Sequence, residues 1–297
     1  MGDKSYIQNP HLSGMTVDEL YHIGLNTNDD LKTIFSDVKF VCLGGSSGRM
    51  EKFAKLLQDR LREEGLNCGS EIKNLSKTDR YVMYKAGPVL SVNHGMGIPS
   101  ISIILNELIK LLHYANARDV VFFRLGTSGG LGTEPGTVVV TKNAVNELLK
   151  PQYEQIILGK RVSHSSELDS KLTAELLACN REDFAVVSGD TMCTLDFYEG
   201  QARLNGAFCD YESEDKMSYL QKVYEAGVRN IEMESLCFAA MCRRAGIPAA
   251  VVCVALLNRL RGDQLNHSPE DRRDYENRPM KLIISYIIQQ LTKNGQK

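Results

Sequence analysis

Short apolar runs of β-branched and aromatic residues alternate along this chain with stretches whose apolar residues recur every three or four positions. That alternation admits few architectures. Strands apolar on both sides need cover on both faces, and helices with one apolar stripe supply it. Residues 39–43 form such a run and end in glycines; in residues 51–64, Phe53, Leu56, Leu57 and Leu61 fall on one helical face. Residues 81–84 and 89–92 flank Gly87-Pro88, a hairpin turn. Pro99 suits the first turn of an apolar helix running to about Ala115. A strand at 120–125 stops at Gly126-Thr127-Ser128-Gly129-Gly130, and another follows at 138–141. Ser166 and Asp169 read as a capping box opening a helix through Leu177. Strands at 184–187, 229–231 and 249–256 then alternate with helices at 217–226, 234–244 and 280–291. The series predicts an α/β fold: a single-domain three-layer αβα sandwich with a central mixed β-sheet. Residues 1–20 read as an N-terminal extension and 21–297 as the domain.

Apolar residues make up 43% of the chain, enough for a substantial core, and the formal net charge of -2 points to neither nucleic acid nor membrane as partner. Residues 1–10 carry no apolar stretch of the kind a secretory signal needs, and the longest apolar run, 249–257, falls well short of a membrane span. The eight cysteines never form a C-x-x-C pair and sit within apolar segments, so buried thiols are expected rather than zinc or disulfides. Asn74 and Asn266 fit the glycosylation pattern, which a cytoplasmic protein ignores. A cytoplasmic location is the expectation. No two histidines have helical zinc-ligand spacing beside a carboxylate, so no metal is expected in the chemistry.

Gly44-Gly45-Ser46-Ser47-Gly48-Arg49 joins a strand to a helix, where backbone N–H groups can cradle an anion. It lacks the Gly-Lys-Ser/Thr of a P-loop and the third glycine of a dinucleotide fingerprint, and a plain turn stays open as its reading. The same residues fit G-x-S-x-G, which raises a serine hydrolase as the alternative chemistry. Against it, the serine sits at about the first strand and no oxyanion element precedes it. Arg124 ends an otherwise apolar strand, beside Thr127, Ser128 and glycines; a cation there needs an anion, either a neighbouring carboxylate or phosphate. Two Gly-rich segments each carrying an arginine favour phosphate, whose oxygens match the guanidinium fork. Phe197, Gln201 and Arg203 put an aromatic, an amide and a guanidinium together, in what is otherwise an ordinary loop; Glu232 and Glu234 put two carboxylates at an apolar strand end, suited to vicinal hydroxyls or, for Glu234, to a helix N-terminus; and Arg259 follows the most apolar strand, as a cation at its rim.

Taken in order, Gly-Gly-Ser-x-x-Arg-Met, His-Gly-Met-Gly-Ile-Pro-Ser, Arg-Leu-Gly-Thr-Ser-Gly-Gly, Phe-Tyr-Glu-Gly-Gln-x-Arg and Ile-Glu-Met-Glu-Ser resemble the animal-type uridine phosphorylases of the nucleoside phosphorylase superfamily, from about Tyr21 to Asp263. The resemblance implies the nucleoside phosphorylase type of α/β fold. It also implies the reversible phosphorolysis of uridine to uracil and ribose 1-phosphate in pyrimidine salvage, by a pentosyltransferase without a cofactor, inorganic phosphate being the co-substrate. Gly45, Arg49, Arg124 and Thr127 would hold phosphate, with Arg80 reaching the phosphate of a neighbouring subunit. His22 would cross the same dimer interface to the ribose 5′-hydroxyl, and Glu232, Met233 and Glu234 would form the ribose segment. Gln201 and Arg203 would read the uracil edge, Phe197 would pack on the base, and Arg259 would close its end of the pocket. Arg124, Arg203, Gln201 and Glu234 would carry the catalysis, in a homodimer with shared sites. Purine-cleaving relatives carry an aspartate in the segment that here reads Leu-Leu-Asn258-Arg259, so a pyrimidine is expected. A binding module that kept the fold and lost the chemistry is the non-enzymatic alternative.

Overall fold

The computed structural model describes residues 6–295. Its backbone packing divides the chain into two compact units. One comprises the residues to 123 with 241–249 and those from 287; the other comprises 124–240 and 250–286.

The first unit opens with a small antiparallel pair, β1 (Glu19–Leu20) and β2 (Leu25–Asn26), and a short helix α1 (Leu31–Phe35). β3 (Phe40–Gly44) runs into α2 (Ser47–Glu63), followed by β4 (Met83–Ala86), β5 (Val89–Asn93) and α3 (Gly97–Tyr114). β3 pairs parallel with β5, and β5 pairs antiparallel with β4 across the Gly87-Pro88 turn. α2 covers these strands with Met50, Phe53, Ala54, Leu57 and Leu61. Leu56, placed on that face by spacing, lies a step round the helix and is exposed. α2 also starts earlier than its apolar stripe, because Ser46 caps it: the Ser46 hydroxyl accepts the Arg49 N–H.

The second unit holds most of β6 (Val121–Gly130), with β7 (Val138–Val145), an exposed hairpin β8 (Gln152–Ile157) and β9 (Lys160–Ser165), α4 (Ser170–Cys179) and β10 (Val186–Cys193). α5 (Ser213–Glu225), β11 (Val228–Glu232), α6 (Ser235–Ala245), β12 (Ala249–Asn258) and α7 (Pro269–Gly295) complete the chain. β7, β10 and β11 run parallel, while β12 is antiparallel to β7, so the sheet is mixed, as expected. The order β11-β10-β7-β12-β6 then curls until β11 bonds back to β6, with Asn230 opposite Gly130 and Ile231 opposite Gly129.

Three expectations are corrected. β6 does not stop at Gly126 but continues through Gly130, because the ring closure gives Gly129 and Gly130 a strand partner in β11. Ser166 and Asp169 form no capping box: Asp169 is itself the cap and accepts the Leu172 N–H, while Ser166 donates to the Ala144 carbonyl. α7 begins well before residue 280; its charged first half has no apolar stripe and is held by Arg272–Glu276 and Arg278–Asp274 pairs.

A buried polar belt runs round the curled strands. The hydroxyls of Thr141 and Thr191 share a hydrogen bond of 2.6 Å, and Thr191 donates to Asn230 Oδ1 at 2.7 Å. Asn230 Nδ2 donates to Ser128 at 3.0 Å, which donates to the Val254 carbonyl. Five strands are thus pinned in register by buried side chains. Asn230→Ala breaks the belt at its centre and should lower the unfolding free energy by about 2–3 kcal/mol. Urea denaturation measures this, and an unchanged midpoint would show that the belt contributes nothing net.

Candidate active site

Arg124 lies on β6 inside the second unit, 3% exposed. Its guanidinium contacts the carboxylate of Glu234 and lies 2.7 Å from that of Glu232, and its Nη1 is 2.8 Å from the Cys253 sulfur. Of the two anions that the sequence allows for this arginine, the neighbouring carboxylate is therefore realised. Gly126 makes room for this: a Cβ there would sit 3.1 Å from Arg124 Nη1. Burial disfavours the charged guanidinium, but the two carboxylates outweigh it and hold its pKa well above the ordinary value. Burial also pushes the Cys253 thiol up to about 11, so it meets the cation as a neutral group.

The two glutamates differ. Glu232, at the end of β11, accepts the backbone N–H groups of Glu234 and Ser235 and the Ser235 hydroxyl at 2.5 Å, besides facing Arg124. Its oxygens are committed to the start of α6 and to the arginine. Burial raises its pKa, and Arg124 opposes that rise. Glu234 contacts Arg124 through Oε2. Met233, between them, is partly exposed. Thr127 is partly buried on β6, whereas Ser128 is spent on the polar belt.

Gln201, Arg203 and Phe197 converge with Arg259 in the same unit. Arg259 is fully buried, not at a rim, and Gly129 accommodates it: a Cβ there would meet its side chain at 3.0 Å. Arg259 donates to the Gln201 carbonyl at 2.6 Å and lies 3.5 Å from Oε1 of the same glutamine. Gln201 Nε2 donates to Thr194 Oγ1, which fixes the amide's other end. The Arg203 guanidinium stacks over the Phe197 ring at 4.1 Å. Burial, and then the Arg259 charge, pull the Arg203 pKa down to about 10.

In the first unit, Gly45 and Arg49 stand together where β3 enters α2, and a Cβ on Gly45 would press the Gly95 carbonyl at 3.3 Å. His22 and Arg80 share one platform. The Thr78 hydroxyl donates to the His22 carbonyl at 2.5 Å and accepts the Arg80 N–H, and the Lys77 N–H donates to the Ile23 carbonyl. Glu107, in the middle of α3, holds the platform down. It accepts the N–H groups of His22 and Ile23 and lies 2.7 Å from His22 Nδ1. Sequence reasoning misses Glu107, because a lone carboxylate between apolar helix residues has no local partner to reveal it.

Residues 39–287 match the family model described as the phosphorylase superfamily. The chain belongs to that superfamily. It is 53% identical to uridine phosphorylase 1 of Mus musculus over 96% of this chain and 92% of that one. A uridine phosphorylase from the oomycete Phytophthora capsici superposes with a TM-score of 0.92 at 42% identity, over 100% of both chains. The Schistosoma mansoni uridine phosphorylase in complex with uracil gives 0.89 at 42% identity, over 95% of this chain and 98% of that one. The family read from five ordered motifs, and the fold it implied, are both borne out. For a member of the phosphorylase superfamily, the Ser46 of G-x-S-x-G has a plainer use than a nucleophile, as the cap of α2.

The buried arginine is also a stability determinant. In Arg124→Met, Glu232 and Glu234 lose the cation they face, and the unfolding free energy at neutral pH should fall by about 3–5 kcal/mol. Burial already raises Glu232, and without Arg124 it rises further. A carboxyl whose folded pKa exceeds its unfolded value stabilises below the unfolded value, and that gain is lost as pH rises through the folded one. The deficit of the variant should therefore shrink on acidification, as urea unfolding across a pH series would reveal. A deficit equal at every pH would mean that lost packing, not stranded charge, is its cause.

Proposed function

We infer that the chain catalyses the reversible phosphorolysis of uridine: inorganic phosphate displaces uracil from ribose C1′ to give ribose 1-phosphate. The enzyme is a pentosyltransferase. The observation that carries the base class is the buried Gln201 amide, held at Oε1 by the Arg259 guanidinium, with Arg203 two residues on. Uracil presents two carbonyl acceptors and one N3–H donor on that edge. An amide supplies both an acceptor and a donor, and an arginine supplies further donors. Cytosine, with an acceptor at N3 and an amino group at C4, would set donor against donor. Asn258 is an amide, with no acidic proton to transfer to a purine, and its Oδ1 is held by the Gly132 and Leu260 N–H groups.

Breaking the ribose–uracil bond builds positive charge on the sugar, as in glycoside cleavage, and negative charge on the departing base. Arg203, Arg259 and Gln201 stabilise that anion electrostatically. Arg124 and Thr127 are assigned to phosphate, which approaches C1′ as the cation forms, and Gly45 and Arg49 carry the same assignment from the family resemblance. Glu234 takes the ribose 2′- and 3′-hydroxyls once phosphate shares its arginine, and Met233 lines the sugar. The phosphate itself is the nucleophile, so the reaction needs neither cofactor nor metal. His22 and Arg80 serve the site of a second copy, the former at the 5′-hydroxyl, the latter at phosphate; their shared platform supports assigning both to one interface and the enzyme to a homodimer. A cytoplasmic setting fits eight free thiols. No helix among the described residues is long and apolar enough to cross a membrane.

Uracil release followed by ultraviolet absorbance tests the reading. Release from uridine that requires phosphate, with inosine and cytidine inert, is the expected result; release without phosphate would make the protein a hydrolase, and no release a binding module. Glu107→Gln should loosen His22 and raise KM for uridine about tenfold, equivalent to about 1.4 kcal/mol, while leaving 5′-deoxyuridine unaffected. Equal losses on both nucleosides would remove His22 from the 5′-hydroxyl.

A further inference from the structure

We propose that Asp263, in the turn after β12, is the positioning residue that holds the base-site guanidiniums in register, with Lys216 of α5 as its anchor. The proposal rests on assigning Gln201, Arg203 and Arg259 to the base.

Asp263 Oδ1 accepts Arg259 Nε at 2.9 Å. Its Oδ2 accepts Lys216 Nζ at 2.7 Å and the Leu204 N–H at 3.3 Å, and its carbonyl accepts Arg203 Nη1 at 3.2 Å. One residue therefore touches both guanidiniums and the backbone just beyond Arg203. Through Arg259 it also reaches Gln201, whose carbonyl and Oε1 that arginine faces. The Tyr211 hydroxyl closes the segment by donating to the Arg203 carbonyl. Lys216 is 6% exposed and Arg259 fully buried, so this is a built corner and not a surface ion pair.

The charge balance gives the corner its purpose. Arg203, Arg259 and Lys216 meet one carboxylate, which leaves an excess of positive charge beside the place where uracil departs as an anion. Removing the carboxylate would not make the corner a better anion site. Two buried arginines facing each other without a counter-ion part, or one gives up its proton. The Arg203 pKa reflects this conflict: burial and Arg259 lower it, while Asp263 raises it. For Asp263 itself, burial pushes the pKa up, but the Lys216 hydrogen bond and the Arg259 charge hold it below the ordinary carboxylate value.

A leaving-group comparison separates positioning from mere support of the fold. The fluorine of 5-fluorouridine stabilises the departing base anion, so that substrate depends less on the protein's donors. The assay measures kcat/KM for both nucleosides in mildly acidic buffer, where both are neutral, at saturating phosphate. Asp263→Asn should lose on the order of 100-fold on uridine but no more than about tenfold on 5-fluorouridine, with KM for phosphate within about twofold. Asp263→Glu should recover part of the loss. Lys216→Met, which removes only the anchor, should show a smaller loss with the same bias and serves if Asp263→Asn does not fold. Equal losses on both substrates, a phosphate KM that rises in step, or unchanged uridine kinetics would overturn the proposal. Arg203→Ala is the control for the underlying assignment. If it shows no bias, the base-site reading fails. If it shows the bias and the Asp263 and Lys216 variants do not, only the positioning role fails.

Discussion

A guanidinium buried between two carboxylates organises the second unit of this protein. Arg124 on β6 and the Glu232–Glu234 segment after β11 come from strands far apart in sequence, and they meet because β11 bonds back to β6. The ion contacts and the strand pairing support one another. A cation in the interior needs its anions near, and those anions are near only if the ring closes. The polar belt of Thr141, Thr191, Asn230 and Ser128 fixes the same closure from within. Two carboxylates on one arginine leave a surplus of negative charge, which a neutral Cys253 does nothing to offset. Such a pocket suits a sugar that becomes cationic, while the guanidinium edge suits the phosphate that captures it.

The base corner reverses the balance. There cations outnumber carboxylates, and a single aspartate keeps them apart and charged. A reaction that separates charge between sugar and base is thus matched by a protein whose charge is already separated before substrate arrives. Because the dipoles and ions are held by packing and hydrogen bonds, little reorganisation is needed when the bond breaks. β6 serves both regions through its glycines, Gly126 giving way to Arg124 and Gly129 to Arg259. A methyl group at Gly126 would crowd the Arg124 guanidinium, and one at Gly129 the Arg259 methylenes.

Much of this is legible in the amino-acid sequence. Apolar runs mark most strand positions, and the order of five motifs marks the family. What the sequence conceals is non-local. Residues 126–130 look like a loop because glycine has no strand preference of its own, yet they continue the strand, and Gly129 and Gly130 pair with β11. The first half of α7 has no apolar face to betray it, since ion pairs along its own surface hold it. Arg259 stands out as a cation but reads as a rim residue; its burial rests on Asp263, four residues further on, and on Gln201, which only the folded chain brings to it. Residues that would touch substrate leave motifs, whereas residues that position them, such as Glu107, Lys216 and Asp263, leave single charges with no local pattern.

Glu107 shows why such supporting charges sit where they do. A carboxylate in the middle of an apolar helix face is costly unless its oxygens are fully used. Here they accept two backbone N–H groups and face an imidazole nitrogen. That arrangement fixes the short segment carrying His22, and the Thr78 hydroxyl then ties Arg80 to it. With Nδ1 engaged by Glu107, Nε2 is the ring nitrogen left for the proposed contact with a ribose hydroxyl. On the proposed assignment of His22 to a second copy's site, the ring has no substrate of its own to orient it, so its orientation is built into the subunit that carries it. The cost of burying Glu107 is the structural trace of that requirement.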